Sequence, residues 1–409
     1  MTATTDTAVP GNAAQPEPGL TAAQVLARAE AFVPELIERQ AETEQRGFYA
    51  EDLHERFLQA GFYRILVPRR HGGYELGVDT FLRVAMTLVR GCASTGWMYS
   101  LGAAHALVAA TLFDGPAQAE LFADGDFICP GTVVPTGSAV PADGGWTVNG
   151  SWPYCSGAPY ATHFMGNAML PTGAEGSPQT LFFVASRSQW TRLEDWGQQL
   201  GLRGSGSHSI AMTDGQVPGH LAFPDLRLAE HNATADTPGR VLHDNPEYGG
   251  GLLAFISFLN ASMAVGMAQG ALDSYEDLLR HRTTLVPPIT PRWQNHDYQF
   301  WYADALGMIS TAEAALLNAV QQWHDANARG PVTRELDLRL AAICRHVAQL
   351  SWEAVERHIM PTAGSSAIRH GQRLERSWRD FSTLRTHAGL SVLLPVIALP
   401  ELTRTRLAG

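Results

Sequence analysis

Gly144-Gly-Trp-Thr-Val-Asn-Gly-Ser-Trp-Pro-Tyr-Cys-Ser-Gly-Ala-Pro159 is the stretch that organises this chain, together with Gly201-Leu-Arg-Gly-Ser-Gly-Ser-His208 downstream. Apolar and polar residues alternate from Trp146, a Trp152-Pro-Tyr turn follows, and Ala161-Thr-His-Phe-Met-Gly-Asn-Ala-Met-Leu170 resumes the alternation. The pattern predicts two strands joined across a loop of small residues. Such a loop lets a flat ring approach the backbone, although Gly, Ser and Pro also build any ordinary turn.

Working outward, strand-length segments run from about Gly125 to Ala229, punctuated by Pro130-Gly, Pro135-Thr-Gly and Ala142-Asp-Gly-Gly. On the N-terminal side, from about Ala22 to Phe122, the apolar period is helical. Leu53, Phe57, Leu58 and Phe62 form one face, and Phe81, Leu82, Ala85, Met86 and Val89 form another. On the C-terminal side, Leu252 to Leu272 is apolar nearly all round, which demands cover on every side. Its length would span a membrane, but Ser257, Asn260, Ser262 and Gln269 interrupt it and charged residues follow, so a buried bundle helix is expected. Further helices are predicted at Tyr298–Ala328, Arg334–Met360 and Leu374–Leu394, the last stopped by Pro395. The chain therefore reads as α+β, with a disordered, cytoplasmic N-terminus (1–18), a helical domain (19–123), a β domain (124–240) and a four-helix bundle (241–409).

Composition narrows the partners. The 409 residues are 45% hydrophobic with a formal charge of -11, which describes a globular chain and disfavours nucleic acid or an anionic membrane as partner. Cys92, Cys129, Cys155 and Cys344 show no paired or zinc-type spacing, so neither metal nor disulfide is expected. Met1 to Pro18 lacks the basic start and apolar core of a signal peptide. A small ligand remains the default partner.

The order of helical domain, β domain and bundle, with Trp152-Pro-Tyr-Cys-Ser156 between, resembles the acyl-CoA dehydrogenase fold over nearly the whole chain. Gly61-Phe-Tyr-Arg-Ile-Leu-Val-Pro-Arg-Arg-His-Gly-Gly73, Gly145-Trp-Thr-Val-Asn-Gly150 and Leu200-Gly-Leu-Arg-Gly-Ser205 carry the likeness. That fold implies a central β-barrel or sandwich. Within the superfamily, Cys92-Ala-Ser-Thr-Gly-Trp-Met-Tyr-Ser-Leu-Gly-Ala-Ala-His105, Tyr154-Cys-Ser156 and Trp378-Arg-Asp-Phe-Ser-Thr-Leu-Arg-Thr-His387 resemble the oxygenase components of two-component flavin monooxygenases. A dehydrogenase needs a carboxylate base over its flavin. Gly249 to Ala268 holds none, and Ser377 to Pro400 holds only Asp380.

The resemblance implies reduced FMN or FAD, supplied by a separate NAD(P)H:flavin reductase, and O2 reacting through a flavin C4a-hydroperoxide to hydroxylate a small or polycyclic aromatic compound. It also implies a homotetramer. N- or S-oxygenation, an acyl-thioester dehydrogenase or desaturase, and a non-catalytic flavin-binding protein are the alternatives. Ser156 is the expected hydroxyl beside the flavin, flanked by Tyr154 and Cys155. His105 is expected to accept a substrate proton, and His387 to act as an imidazolium beside reduced oxygen. Arg280 and Arg282 are candidates for the flavin phosphate, with Gly364, Ser365 and Ser366 in close approach. Trp97, Tyr154, Phe255 and Phe258 are candidates for the wall of an aromatic-substrate pocket, and each taken singly reads as core.

Overall fold

The computed structural model describes residues 17–171, 179–231 and 233–407. Nearly all of the predicted N-terminal tail, residues 1–18, lies outside them.

The first six helices are α1 (Ala22–Glu38), α2 (Gln40–Arg46), α3 (Glu51–Gln59), α4 (Gly77–Gly91), α5 (Ala93–Leu112) and α6 (Gly115–Leu121). Thr21 and Gln24 close a reciprocal cap at the start of α1, and the Asp114 carboxylate accepts the Ala117 N–H at the start of α6. Leu53, Phe57, Phe81, Leu82, Ala85, Met86 and Val89 are buried as the helical period predicts. Leu58 is only half buried, and Phe62 lies in a short 3-10 turn beyond α3. A Cβ on Gly96 would stand 2.5 Å from the Val89 backbone nitrogen. Glycine at this position lets α4 and α5 touch, and it fixes the height at which Trp97 leaves α5.

Seven strands follow: β1 (Gly137–Ala142), β2 (Gly145–Trp152), β3 (His163–Met169), β4 (Thr180–Ser186), β5 (Thr191–Arg192), β6 (Ile210–Pro218) and β7 (Ala222–Pro224). Hydrogen bonds join them in one mixed sheet of order β5-β6-β2-β1-β3-β4-β7, in which only β1 and β3 run parallel. The barrel-or-sandwich expectation thus resolves into a single sheet. The two strands flanking the opening stretch are not neighbours, because β1 lies between β2 and β3. Trp152 to Ala161 therefore crosses the end of β1 rather than closing a hairpin.

After α7 (Pro238–His243) come the bundle helices α8 (Leu252–His281), α9 (His296–Arg329) and α10 (Arg334–Ala354), then α11 (Met360–Ala363), α12 (Arg373–Arg385) and α13 (Leu399–Leu407). α8 is covered by α4, α5, α9, α10 and α12, as its all-round apolar sequence requires. Its buried polar groups bond within the helix, Ser257 to the Leu253 carbonyl and Asn260 to the Ile256 carbonyl. The buried Asp337 carboxylate accepts the Ala254 N–H in the first turn of the same helix.

Two predicted helices are broken. Arg334–Met360 passes into a π-helical turn at Val355–Ile359. Leu374–Leu394 stops at Arg385, and a π-helical segment from Gly389 to Ala398 runs through Pro395 instead of ending there. Proline has no N–H to donate, and a widened turn tolerates that loss where a regular α-helix does not. Leu252–His281 and Arg373–Leu407 are both long and apolar enough to cross a membrane, but the first is enclosed by protein while the second is largely exposed.

Candidate active site

The loop Gly201–Ser207 is where the three parts of the molecule meet. Gly206 donates to the Gly47 carbonyl (2.8 Å), Gly204 donates to Ser94 Oγ (3.2 Å) and Gly157 donates to the Gly206 carbonyl (3.3 Å). On the bundle side, Asp380 Oδ1 accepts the Leu202 N–H at 2.6 Å, and Arg379 reaches both the Leu200 carbonyl (2.9 Å) and Glu44 (2.8 Å). A Cβ on Gly201 would lie 2.2 Å from the Arg379 carbonyl, and Leu202 is held at φ 54°. Such a backbone persists only where its surroundings hold it, and here α2 and α12 do so.

That junction sets the geometry around Ser156. Trp97 Nε1 donates to Ser156 Oγ at 2.8 Å, Ser156 Oγ lies 2.7 Å from Ser207 Oγ, and Ser207 Oγ lies 2.7 Å from Ser205 Oγ. All four side chains are buried. The Trp97 ring also meets His387 edge-on at 5.1 Å. One residue from each of the three parts, Trp97, Ser156 and His387, thus forms a continuous contact. Sequence reading found Ser156 and His387 but gave Trp97 a different task, and it missed Ser205 and Ser207 altogether. The only available signal for these serines was their place in the Gly-Ser-Gly-Ser run.

The two histidines differ in tautomer. The Gly389 N–H points at His387 Nδ1 (3.3 Å), and a backbone N–H can only donate, so the His387 proton sits on Nε2. Burial lowers the His387 pKa to about 4, so the ring is neutral. The expected imidazolium is therefore corrected to a neutral N–H donor. His105 is the reverse case. Its Nδ1 lies 2.6 Å from the Cys129 carbonyl, which can only accept, so Nδ1 carries the proton and Nε2 keeps a lone pair. Burial lowers its pKa too, partly offset by that bond.

Tyr154 is exposed at φ 61° and its ring lies 5.8 Å from Trp196, edge to face. Trp196 Nε1 is buried with no hydrogen-bond partner among the described residues. A buried donor without an acceptor beside an exposed aromatic ring suits a polar heterocycle, and the neutral donors around Ser156 suit it equally. Cys155 is fully buried, its Sγ points at the Trp152 carbonyl, and burial pushes its thiol up, which rules against a thiolate nucleophile.

The remaining expected residues separate. Arg282 donates to Ser366 Oγ at 2.7 Å, so this pair does meet. Arg280 is instead ion-paired along its own helix with Glu276. Gly364 takes φ 90°, and beside it the buried Arg292 holds the Ala363 carbonyl (2.9 Å) and the Thr283 carbonyl (3.2 Å). Arg292 was missed in the sequence, where nothing distinguishes it from other arginines near a proline. Phe258 is fully buried with its ring 6.4 Å from Trp323, in the bundle core. Phe255 is buried likewise, facing Phe81.

Residues 21–116 match the family model described as the acyl-CoA dehydrogenase N-terminal domain, and residues 258–392 match the acyl-CoA dehydrogenase C-terminal domain. The chain is 29% identical over 367 residues to the HsaA oxygenase subunit of a flavin-dependent monooxygenase from Rhodococcus jostii, covering 88% of this chain and 93% of that protein. It is 28% identical over 343 residues to the oxygenase component of an FADH(2)-dependent resorcinol hydroxylase from Rhizobium, covering 81% and 82%. The crystal structure of a 3-HSA hydroxylase from Rhodococcus superposes with TM-score 0.83 at 25% identity, covering 94% of this chain and 97% of that one.

Proposed function

Because the chain belongs to the acyl-CoA dehydrogenase family, we propose that it is the oxygenase component of a two-component flavin-dependent monooxygenase, taking reduced flavin from a separate reductase and using O2 to hydroxylate a small aromatic compound. One observation carries the reading. The buried Trp97 and Ser156 and the half-buried His387 form a neutral set, and none of their hydrogen bonds or ring contacts among the described residues involves a carboxylate. Asp380 has its pKa raised to about 7 by burial and is bonded to the Leu202 N–H, and Glu44 is tied up in ion pairs with Arg376 and Arg379. Abstracting a proton beside a thioester carbonyl calls for a free carboxylate at the ring, which this arrangement does not offer.

Bound reduced flavin supplies the electrons that activate O2. The protein supplies placement and proton handling. Ser156, fixed by Trp97 and Ser207, offers a hydroxyl at the ring edge, and the His387 Nε2–H offers a neutral donor to developing negative charge without carrying charge itself. His105 presents its Nε2 lone pair to a phenol or N–H proton. The buried surroundings keep water from competing for these bonds.

The flavin phosphate is assigned to Arg282, Ser366 and the Gly364-Ser-Ser turn. Asn260 adjoins Gly389, next to His387, and the stretch of α8 from Asn260 to Arg282 measures roughly 33 Å at 1.5 Å per residue. This is longer than the reach of a flavin from ring to first phosphate. The arginine of one copy is therefore assigned to the flavin of another, within a homotetramer. The exposed apolar side chains Val392, Val396 and Ile397 support such self-association. Four free, buried cysteines accord with a cytoplasmic setting.

The test is a panel of phenols incubated with a generic flavin reductase and the protein, scored by mass for one added oxygen. Product gain with several phenols is expected. Reduction of the bound flavin by an acyl-CoA, with no oxygen added to any phenol, contradicts the reading.

A further inference from the structure

We propose that the backbone of Cys129-Pro130-Gly131 is a seat that locks His105 in the one tautomer able to take a proton from substrate, with Gly131 as its positioning residue. The inference rests on the proposed hydroxylase reading for its substrate and on geometry alone for the seat.

Two points of contact define the seat. The Cys129 carbonyl takes the Nδ1 proton at 2.6 Å. On the other edge of the imidazole, a Cβ built on Gly131 would lie 2.8 Å from Cε1 and 2.9 Å from Nε2, closer than side-chain carbons approach in folded proteins. Glycine is required here by space rather than by backbone conformation, since Gly131 is not among the positive-φ residues. The seat is itself anchored on both sides. Cys129 N–H donates to the Gly102 carbonyl of α5 (2.8 Å), one turn before His105, and the Pro130 carbonyl accepts the Met165 N–H of β3 (3.0 Å). Thr132 N–H closes the register by donating to the Met165 carbonyl (3.1 Å). The segment cannot retreat to make room for a methyl group without breaking its bonds to helix or sheet.

The consequence is chemical. With Nδ1–H committed to Cys129, the only lone pair on the ring is at Nε2, on the edge where Gly131 contributes no side chain. When a phenol binds, its O–H bond breaks, the electron pair stays on oxygen, and the proton forms a bond to Nε2. The resulting imidazolium keeps its Nδ1–H on the carbonyl, which stabilises the positive charge. An oxygen-directed reaction gains from this because a phenolate is the more electron-rich partner.

The test uses Gly131→Ala and His105→Gln in the full-length protein with ring-15N-labelled histidine, the His105 resonances being assigned by their absence from His105→Gln. The wild-type spectrum is expected to show Nδ1 protonated and Nε2 bare, and Gly131→Ala to lose that state. An Nε2–H tautomer in wild type, or an unchanged spectrum in Gly131→Ala, overturns the proposal. If Gly131→Ala does not fold, the wild-type tautomer alone decides. A second arm uses p-nitrophenol at a fixed, slightly acidic pH, where colour reports ionisation. The bound phenolate-to-phenol ratio is expected to drop about tenfold in Gly131→Ala, as in His105→Gln, while flavin affinity changes less than twofold. An equal ratio in wild type and Gly131→Ala contradicts the seat's role in proton transfer. Should the tautomer behave as expected but no phenol gain oxygen, the seat stands and the hydroxylase reading fails.

Discussion

The surroundings of Ser156 and those of Arg282 handle polarity in opposite ways. Around Ser156 the groups are neutral: an indole N–H and three serine hydroxyls, all buried and bonded to one another, and beside the indole a half-buried imidazole held uncharged at a pKa of about 4. Around Arg282 the groups are exposed and include charge, with a guanidinium and a hydroxyl at the end of a long helix. The first kind of site orients an uncharged ring and excludes water, and its groups are worth much because nothing competes with them. The second recognises an anion and is weakened by salt. A flavin has both an uncharged ring and a charged tail, so the two regions suit the two halves of the proposed flavin site.

The largest expected effect marks the edge of the first region. Phe258→Ala removes a ring from the bundle core and should cost about 3–5 kcal/mol of stability, measured by denaturant unfolding, while leaving substrate preference unchanged. A changed preference at near-native stability would place Phe258 in the substrate wall. His105→Gln should lower the rate of oxygen transfer on the order of a hundredfold with little change in flavin binding, read as product formed per flavin oxidised. Ser156→Ala should raise hydrogen peroxide release roughly tenfold, the scale of one hydrogen bond in a dry site, with the fold intact by circular dichroism. If coupling is unchanged, Ser156 does not touch the ring. Arg282→Gln should weaken flavin binding roughly fivefold at low salt and less at high salt, by titration. An identical effect at both ionic strengths would remove the contrast between the regions.

The smallest effect concerns pH. The folded pKa of His387, about 4, lies below its unfolded value near 6.5, so the unfolded chain binds a proton first as pH falls. Wild type should therefore lose stability relative to His387→Gln as pH drops from 6.5 to 4, and the two should run parallel above 6.5. Parallel behaviour throughout would mean that His387 is not desolvated.

Much of this contrast was legible in the sequence, for a definable reason. The change of apolar period from helix to strand and back is local, and so were the Trp152-Pro-Tyr-Cys-Ser156 loop and the all-round apolar run of α8; Arg282 and Gly364-Ser-Ser366 were each singled out, but their meeting across 84 positions was not. What escaped depends on contacts between distant residues. Trp97 meets Ser156 across 59 positions and Ser156 meets Ser207 across 51, and no periodicity encodes either contact. The insertion of β1 between β2 and β3 is a matter of sheet order, which alternation does not specify. The break at Thr386 and the π-helical path through Pro395 turned His387 toward Trp97, where an unbroken helix had been expected. Phe258 could be read as wall or as core, because an all-apolar helix gives no sign of which side faces a ligand.

The central claim, that the two regions act on one flavin from different copies of the chain, is tested by mixing subunits. Ser156→Ala and Arg282→Glu proteins, each poor at coupled hydroxylation, are co-expressed with different tags and the mixed oligomers isolated. The account predicts that mixed oligomers recover coupled product formation, since some sites then combine an intact Ser156 from one copy with an intact Arg282 from the other. Coupling no better than the average of the two parents would contradict it.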